Sequence, residues 1–367
     1  MTKLPAAHDK TLSKLDEILE EEERKQRPRG YLGMSAIGEE CERKLFYSYR
    51  QVRPRNIPAS GIRAIQDGFN QENVMAARLR KIPNIELVTH PNGQQIGFKD
   101  VQGHFCGHCD GMIRGLLETP APWHVWEHKS VNEKKFNDLL KKRNEHGEKK
   151  ALELWDNVYY VQAQIYMHYS EVKKHYLTVS TPGGRDYVSI RTDYKATTAK
   201  QIIKKAEGII NDNWTIPAKI SDKREFFKCK WCEFSGVCHD KEVPDLNCRT
   251  CRYCEPVEGG KFNCLLNDKE AVDVCENHIY NPALIDAKLL EHADDGCVYK
   301  SGIIKWANIN AGGFPDDPDI GPFYTSQELY DLQTLDNIDS ELEKVKTAFQ
   351  GEIDPDAPEW DSRFKGD

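Results

Sequence analysis

The chain has 367 residues, of which 39% are hydrophobic and 30% charged, and its formal net charge is -8. This length exceeds that of one ordinary hydrophobic core, so two domains are expected. The negative balance excludes a protein that coats nucleic acid over its whole surface, and no apolar run is long enough to predict a membrane span.

The N-terminal segment, residues 1–30, is charged and lacks the apolar core of a signal peptide. It predicts an acidic helix followed by a basic, proline-containing link. The helix places four apolar residues on one face, namely Leu12, Leu15, Ile18 and Leu19. We therefore expect a cytoplasmic protein, in which disulfides are disfavoured and grouped cysteines indicate metal binding.

Residues 31–240 alternate helical and extended patterns and predict one α/β domain. Apolar spacing predicts a helix over 60–80. The elements expected after it are strands near 84–98, 104–116 and 123–130, helices near 132–147 and 151–169, strands near 172–180 and 186–192, and a helix near 196–213. Strands surrounded by helices imply a mixed sheet with helices packed on its faces.

The phrase GHCDG…VWEHKS contains residues that can support hydrolysis of a phosphodiester. Side chains alternate along a strand, so Glu127 and Lys129 point to one face and His128 to the other. Prolines within residues 118–122 mark a turn that can bring Asp110 beside them. Asp110 and Glu127 would bind Mg²⁺ or Mn²⁺, with the backbone carbonyl of His128 as a further ligand, because these ions prefer oxygen. Lys129 would orient water or neutralise charge on the phosphate.

Two predicted helices add polar residues to this pattern. Glu72 lies on the helix at 60–80, and Gln162 and Tyr166 share a face of the helix at 151–169 because they are four positions apart. Each feature has a simpler interpretation. The aspartate and E-x-K residues also fit a solvated strand with a surface ion pair, and the helical residues fit an ordinary half-buried face.

In this order the motifs resemble the PD-(D/E)xK nucleases of the RecB-like branch, which include exonucleases of recombination systems and of CRISPR adaptation. The resemblance implies a restriction-endonuclease-like mixed sheet flanked by helices. It also implies catalytic roles for six residues: Glu72, Asp110, Glu127, Lys129, Gln162 and Tyr166.

A first set of cysteines is Cys229, Cys232 and Cys238, together with the distant Cys41. Four thiolates with one remote member suit a [4Fe-4S] cluster. The resemblance implies that such a cluster clamps the two ends of the nuclease domain. A structural zinc in the same thiolates, or a buried free thiol at Cys41, is the alternative.

A second set predicts a structural, tetrahedral Zn²⁺ site in a module at residues 241–283. The preferred ligands are Cys248, Cys251, Cys264 and Cys275. Cys254 and His278 are the alternates. Four protein ligands would leave no open position for catalysis.

The remaining cysteines are expected to be structural. Cys106 and Cys109, with His108 between them, flank the aspartate strand and are not predicted as ligands, and Cys297 is expected to be a packed thiol. Residues 284–367 predict a C-terminal α+β extension. It contains a hairpin at 297–308, a loop at 312–322 and a helix at 326–349.

Positive charge is concentrated at residues 134–150 and 200–230, where lysine and arginine side chains would neutralise phosphates. We therefore expect a Mg/Mn-dependent exonuclease that acts on single-stranded or frayed DNA ends in recombination, replication or repair. A structure-specific endonuclease and a non-catalytic DNA-binding or assembly protein are the alternatives. The resemblance further implies a phage-encoded protein, and its C-terminal extension is a candidate docking module for a replication or recombination protein.

Overall fold

The structure is a computed structural model. It describes residues 9–212, 214–285, 287–292, 296–301, 304–310 and 323–334. The helices in this part of the chain are α1 (Lys10–Arg24), α2 (Glu42–Arg50), α3 (Ala59–Leu79), α4 (Glu133–His146), α5 (Glu148–Trp155), α6 (Asn157–Tyr169), α7 (Ala196–Asn211), α8 (Phe227–Lys230), α9 (Ser235–His239) and α10 (Ser326–Thr334).

The strands follow the same chain order. They are β1 (Leu32–Gly33), β2 (Glu86–Val88), β3 (Ile96–Asp100), β4 (Phe105–Cys109), β5 (Gly111–Arg114), β6 (His124–Ser130), β7 (Lys174–Ser180), β8 (Tyr187–Asp193), β9 (Cys254–Val257), β10 (Lys261–Cys264), β11 (Lys269–Glu270), β12 (Lys288–His292), β13 (Gly296–Ser301), β14 (Ile304–Ile309) and β15 (Phe323–Thr325). The predicted elements between 60 and 213 are confirmed, except that 84–98 and 104–116 each contain two strands and that two helices, α5 and α6, replace the one predicted over 151–169.

The described residues form two compact units, each assembled from separated segments. Unit 1 takes its residues from Met1–Glu39, Arg55–Val101 and Phe105–Glu207. Unit 2 takes its residues from Glu40–Pro54, Gln102–His104 and Gly208–Asp367. The four contiguous domains expected from the sequence stay a prediction.

Unit 1 is organised around a five-stranded sheet with the order β2-β5-β6-β7-β8. The β6–β7 pair is parallel, and the other neighbouring pairs are antiparallel. Helices α4, α5 and α6 lie in the connection between the two parallel strands, as such a crossover requires. The predicted class, a mixed α/β sheet flanked by helices, is confirmed.

Alternation along β6 directs neighbouring side chains to opposite faces of this sheet. Trp126 is fully buried and joins an apolar cluster with Met75 and Leu79 of α3. On the other face Glu127 receives a hydrogen bond from Gln162 of α6. The sheet therefore lies between α3 and α6, and its second face presents the polar residues.

Local signals in the sequence explain where the flanking helices begin. Asn132 accepts a hydrogen bond from the backbone N–H of Lys135 at the start of α4. Asp156 accepts one from the backbone N–H of Tyr159 at the start of α6. Such side-chain caps satisfy helix donors that lack an intrahelical partner. The cap at Asp156 fixes the helix that carries the predicted Gln162.

A second sheet of unit 1, ordered β1-β4-β3, brings β4 close to α6. Gly107 of β4 allows this approach. A Cβ atom at this position would lie 2.9 Å from the hydroxyl oxygen of Tyr166 and 2.7 Å from Cβ of Met34. Any larger residue at position 107 would displace the tyrosine, so the glycine is required by packing.

Unit 2 contains two small sheets, ordered β11-β10-β9 and β12-β13-β14-β15. Their apolar cluster includes Tyr280, Tyr299 and Trp306. The predicted hairpin is confirmed by the antiparallel β13–β14 pair. The predicted helix is confirmed over Ser326–Thr334, whereas its residues 335–349 and the loop at 312–322 lie outside the described residues.

Among the residues described, none of the helices combines the length and apolar character needed to cross a membrane.

Truncation of the buried Ile113 tests the packing between α3 and the main sheet. We expect Ile113→Ala to lower the free energy of unfolding by about 2–5 kcal/mol, because it removes buried methyl groups and leaves a cavity. Leu117→Ala is the matched control, since Leu117 is 76% exposed whereas Ile113 is 0% exposed. Urea denaturation of both variants should show a change only for Ile113→Ala, and equal effects would contradict this packing.

Candidate active site and cysteine groups

The predicted carboxylates meet where β4 passes into β5 beside β6. Asp110 lies between β4 and β5 and is 7% exposed, and Glu127 of β6 is 2% exposed. The backbone N–H of Asp110 donates to Oε1 of Glu127 at 3.3 Å, and the N–H of His128 donates to Oδ2 of Asp110 at 2.7 Å. The antiparallel β5–β6 register therefore places the two carboxylates side by side.

Glu127 also accepts hydrogen bonds from the predicted lysine and glutamine. Nζ of Lys129 lies 2.7 Å from Oε2 of Glu127, and Nε2 of Gln162 lies 3.1 Å from the same oxygen. The Gln162 amide also donates to the hydroxyl oxygen of Tyr166 at 3.3 Å. The residues predicted on β6 and α6 are thus joined in one hydrogen-bonded chain.

Glu72 approaches this group from α3. Its pKa is raised to about 7, first by burial and then by the nearby Asp110 carboxylate, while Lys129 opposes the rise. Glu72 is therefore close enough to feel the charges of both residues. Hydrogen bonds connect the other five predicted residues, Asp110, Glu127, Lys129, Gln162 and Tyr166.

The electrostatics of the site follow from burying several charges together. The pKa of Glu127 is raised to about 8, first by burial and then by Asp110, against an opposing effect of Lys129. The pKa of Asp110 is also raised by burial. Burial lowers the pKa of Lys129, but Glu127 and Asp110 outweigh it and hold this pKa above its ordinary value. The lysine is therefore a cation, and the carboxyl groups resist sharing one small space as anions.

Hydrogen bonds already occupy the carboxylate oxygens that would bind a cation. Within the described part of the chain, no group of three or more His, Cys, Asp or Glu side chains is arranged as a metal site. Asp110 and Glu127 instead accept from backbone N–H groups, Lys129 and Gln162. Cation binding by Glu127 through Oε2 would require Lys129 to release that oxygen.

A buried polar network on β7 supports β6 from the side, and the sequence analysis missed it. Thr178 Oγ1 accepts from Nε1 of Trp126 at 3.0 Å and donates to the carbonyl of Glu127 at 3.2 Å. The His128 ring lies 3.0 Å from Thr178 Oγ1 and 3.2 Å from Ser180 Oγ. The alternation of polar Thr178 and Ser180 with apolar Leu177 and Val179 was the available signal.

The first cysteine set lies entirely in unit 2. Burial raises the pKa of Cys229, and the thiols of Cys41 and Cys232 raise it further. Cys41 also contributes to the raised pKa values of Cys232 and Cys238, both of which are due first to burial. The remote Cys41 is therefore a neighbour of the other three thiols.

The second set also gathers in unit 2, around a small cavity of about 40 Å³ lined by all four preferred cysteines. The pKa of Cys248 is raised to about 11, first by burial and then by Cys251, Cys275 and Cys264. The pKa of Cys251 is also raised to about 11, with burial as the main cause. The shared cavity and these charge effects place the four cysteines in one region, although the described residues contain no group of three or more side chains arranged as a metal site.

The alternates line the same cavity but have other partners. Burial raises the pKa of Cys254 to about 12, and its strongest charged neighbours are Arg50 and Arg249. Nε2 of His278 lies 3.1 Å from the carbonyl oxygen of Asn247. Cys251 and Cys248 also raise the pKa of Cys254, so the choice between the preferred ligands and the alternates stays a prediction.

The other cysteines lie apart from these groups. Cys106 and Cys109 are buried on β4 in unit 1, while His108 between them is exposed. Cys297 is fully buried, and its sulfur lies 3.1 Å from Nη1 of Arg252. Their expected structural role stays a prediction.

No family model and no curated protein matches the chain. Among solved structures, it is similar to SSO0001, with 20% identity, a TM-score of 0.37, and coverage of 64% of this chain and 97% of that one. It is similar to an alkaline exonuclease (LHK-Exo) from Laribacter hongkongensis, with 14% identity, a TM-score of 0.35, and coverage of 53% and 90%. A phage-related exonuclease from Haemophilus somnus 129PT shows 12% identity, a TM-score of 0.28, and coverage of 40% and 68%. Because these values are low, the function of this chain is argued from its own residues.

The raised pKa of Glu127 predicts a pH dependence of stability in the metal-free protein. Its folded value of about 8 exceeds its ordinary value of 4.5, so the folded state holds a proton that the unfolded state has lost. The contribution of this bound proton to the free energy of unfolding is therefore complete below about pH 4.5, and it is lost as the pH rises through about 8.

Urea unfolding of wild type and Glu127→Gln, with chelator, measures this effect. We expect wild type to lose stability relative to the glutamine variant as the pH rises from 5 to 8.5. Glu133→Gln is the control, because Glu133 is exposed at the start of α4. A wild type that gains stability relative to Glu127→Gln over this range would contradict the assigned direction.

Proposed function

We propose that the chain is a metal-dependent deoxyribonuclease with a PD-(D/E)xK site on a restriction-endonuclease-like core. This proposal rests on one observation, the contact of Asp110 and Lys129 with Glu127 of β6. Gln162 donates a hydrogen bond to the carboxylate of Glu127 as well. Such a group combines oxygen ligands for a cation with a charged donor for phosphate. A surface ion pair is a poorer explanation, because Glu127 is 2% exposed.

Asp110, Glu127 and Glu72 would hold Mg²⁺ or Mn²⁺, with the backbone carbonyl of His128 as a further ligand. The donor set fits these ions, because it consists of oxygens and its carboxyl groups are destabilised by one another. When bound, the ion supplies polarisation of a phosphoryl oxygen and activation of water.

The residues around the carboxylates complete the proposed reaction. Lys129 is held as a cation, so its ammonium can neutralise the charge that develops on the phosphate. Gln162 holds Glu127 in position through its amide, and Tyr166 supports that amide. During hydrolysis the water oxygen bonds to phosphorus while one P–O ester bond breaks, which leaves a phosphate and a hydroxyl group.

We infer that DNA ends are the substrate, in recombination, replication or repair. The motif order resembles that of recombination exonucleases and supports this choice. The same residues would serve a flap or junction endonuclease, so substrate topology separates the two activities. The intact set of carboxylates and lysine disfavours a non-catalytic DNA-binding protein.

The first cysteine set would hold a [4Fe-4S] cluster through Cys41, Cys229, Cys232 and Cys238. Basic side chains fit this assignment, because such a cluster with four thiolates is anionic. Arg43 and Lys219 lower the pKa of Cys238, and Lys44 lowers that of Cys232, although burial leaves both values raised overall. Cys41 would thereby join the start of α2 to the segment after α7.

The second set would hold Zn²⁺ through Cys248, Cys251, Cys264 and Cys275. Two observations support this proposal, the shared cavity and the charge effects among the cysteines. All four line a cavity of about 40 Å³, and Cys251, Cys264 and Cys275 each raise the pKa of Cys248. Cysteine binds zinc as the thiolate, and the positive charge of the ion would offset the repulsion among these thiolates.

Loss of the site residues should abolish DNA cleavage without unfolding the protein. We expect Asp110→Ala, Glu127→Ala and Lys129→Ala each to reduce hydrolysis of end-labelled single-stranded DNA by about 100-fold or more, in line with the loss of a charge-stabilising group. Activity is measured with Mg²⁺ or Mn²⁺, and folding by circular dichroism.

Glu133→Ala and Lys81→Ala are the matched controls, because both side chains are exposed and Lys81 lies outside the two basic segments expected to contact DNA. Both should retain wild-type activity. Normal cleavage by Asp110→Ala would refute the site. Cleavage of circular single strands at the rate of linear ones would replace the exonuclease with an endonuclease.

Metal analysis tests the two cysteine sets separately. We expect anaerobically purified protein to contain iron, sulfide and zinc. Cys232→Ser should lose iron and visible absorbance but keep zinc, whereas Cys264→Ser should lose zinc but keep iron. Cys254→Ser and Cys297→Ser are the controls and should keep both metals. Zinc in place of iron at the first set would overturn the cluster assignment.

A further inference from the structure

Two large aromatic side chains in unit 2 are exposed to solvent. Phe227 of α8 is 65% exposed, and Trp231, at the end of that helix, is 82% exposed. Their four-residue separation places both on one side of the helical turn, while Cys229 between them is buried. Large apolar side chains exposed together in this way indicate a contact surface.

Positive charge accompanies these rings. Residues 219–231 contain five basic and two acidic side chains, within a chain whose net charge is -8. Nζ of Lys228 lies 5.8 Å from the ring centroid of Phe227, and Nζ of Lys230 lies 5.4 Å from that of Trp231. We call Phe227, Lys228, Lys230 and Trp231 the aromatic-basic patch.

Part of the local charge is already paired. Lys228 lies 2.7 Å from Glu40, and Arg224 lies 2.8 Å from Asp240. Lys230 remains exposed beside Trp231. The patch therefore keeps a cation next to its most exposed ring.

We propose that the aromatic-basic patch binds single-stranded DNA, with Phe227 and Trp231 stacking on bases, Lys230 contacting a phosphate, and Lys228 exchanging Glu40 for a second phosphate. This inference rests on the proposed nuclease function and adds a substrate-binding surface in unit 2. Single strands fit the chemistry, because their unpaired bases expose faces for stacking and their backbone is anionic. A duplex hides those faces, so the patch favours unpaired ends.

Binding to short, end-labelled oligothymidylate, measured by fluorescence anisotropy with chelator, tests the patch in the full chain. We expect Phe227→Ala/Trp231→Ala to weaken Kd by about tenfold or more, as loss of base stacking does. The same variant should bind an abasic strand of equal length as wild type does. Trp231→Phe should retain most of the affinity, because it keeps an aromatic face.

Tyr187→Ala in unit 1 is the matched control, because Tyr187 is 64% exposed, and it should leave Kd unchanged. Lys228→Ala/Lys230→Ala should weaken binding of both strands equally and flatten the salt dependence. An equal loss on the abasic strand for the aromatic variant, or no loss on either strand, would overturn the proposal. An equal loss on both strands would indicate that the two rings support the fold around the neighbouring cysteines. No loss on either strand would indicate that the patch binds a protein partner instead.

Cleavage by the same preparations with Mn²⁺ separates this inference from the nuclease function. Wild-type cleavage together with unchanged binding by the aromatic variant overturns the patch alone. Base-dependent binding without any cleavage by wild type supports the patch and overturns the nuclease. Wild type that neither binds nor cleaves DNA overturns both.

Discussion

The ion pair between Glu127 and Lys129 is the interaction on which the candidate site depends. Both side chains project from one face of β6, and the carboxylate is almost completely removed from water. Without the ammonium group, Glu127 and Asp110 would be two adjacent carboxylates shielded from water. Such a pair would bind a proton more readily than a metal cation. The lysine therefore opposes protonation of the site without abolishing it, and it also occupies an oxygen that a divalent ion would use.

The scaffold explains how this pair is held. β6 is bonded to β5 on one side and to β7 on the other, so its backbone cannot shift without breaking two ladders. Thr178 fixes the carbonyl of Glu127 from β7, and the side chain of Gln162 fixes its carboxylate from α6. A catalytic group gains from such support, because small displacements are costly in a site that must match a phosphate.

Much of this arrangement could be predicted because it depends on local patterns. Alternation placed Glu127 and Lys129 on one face, and a four-residue spacing placed Gln162 beside Tyr166. The support from Thr178 and Ser180 could not be found in this way, because it depends on which strand pairs with β6. The closeness of Glu72 to Asp110 likewise required the packing of α3. Grouping of Cys41 with cysteines near residue 230 came from family resemblance rather than from spacing, since nearly two hundred residues separate them.

The interleaved construction of the two units has a consequence for biosynthesis. The Glu40–Pro54 segment belongs to a unit whose other major part begins only at Gly208. During translation, Phe46, Tyr47 and Tyr49, which are buried in the finished protein, leave the ribosome long before the residues that cover them. Closing so large a loop is slow, and exposed aromatic surface promotes association in the interval. We therefore expect the nascent chain to be prone to association until the residues after Gly208 have been made.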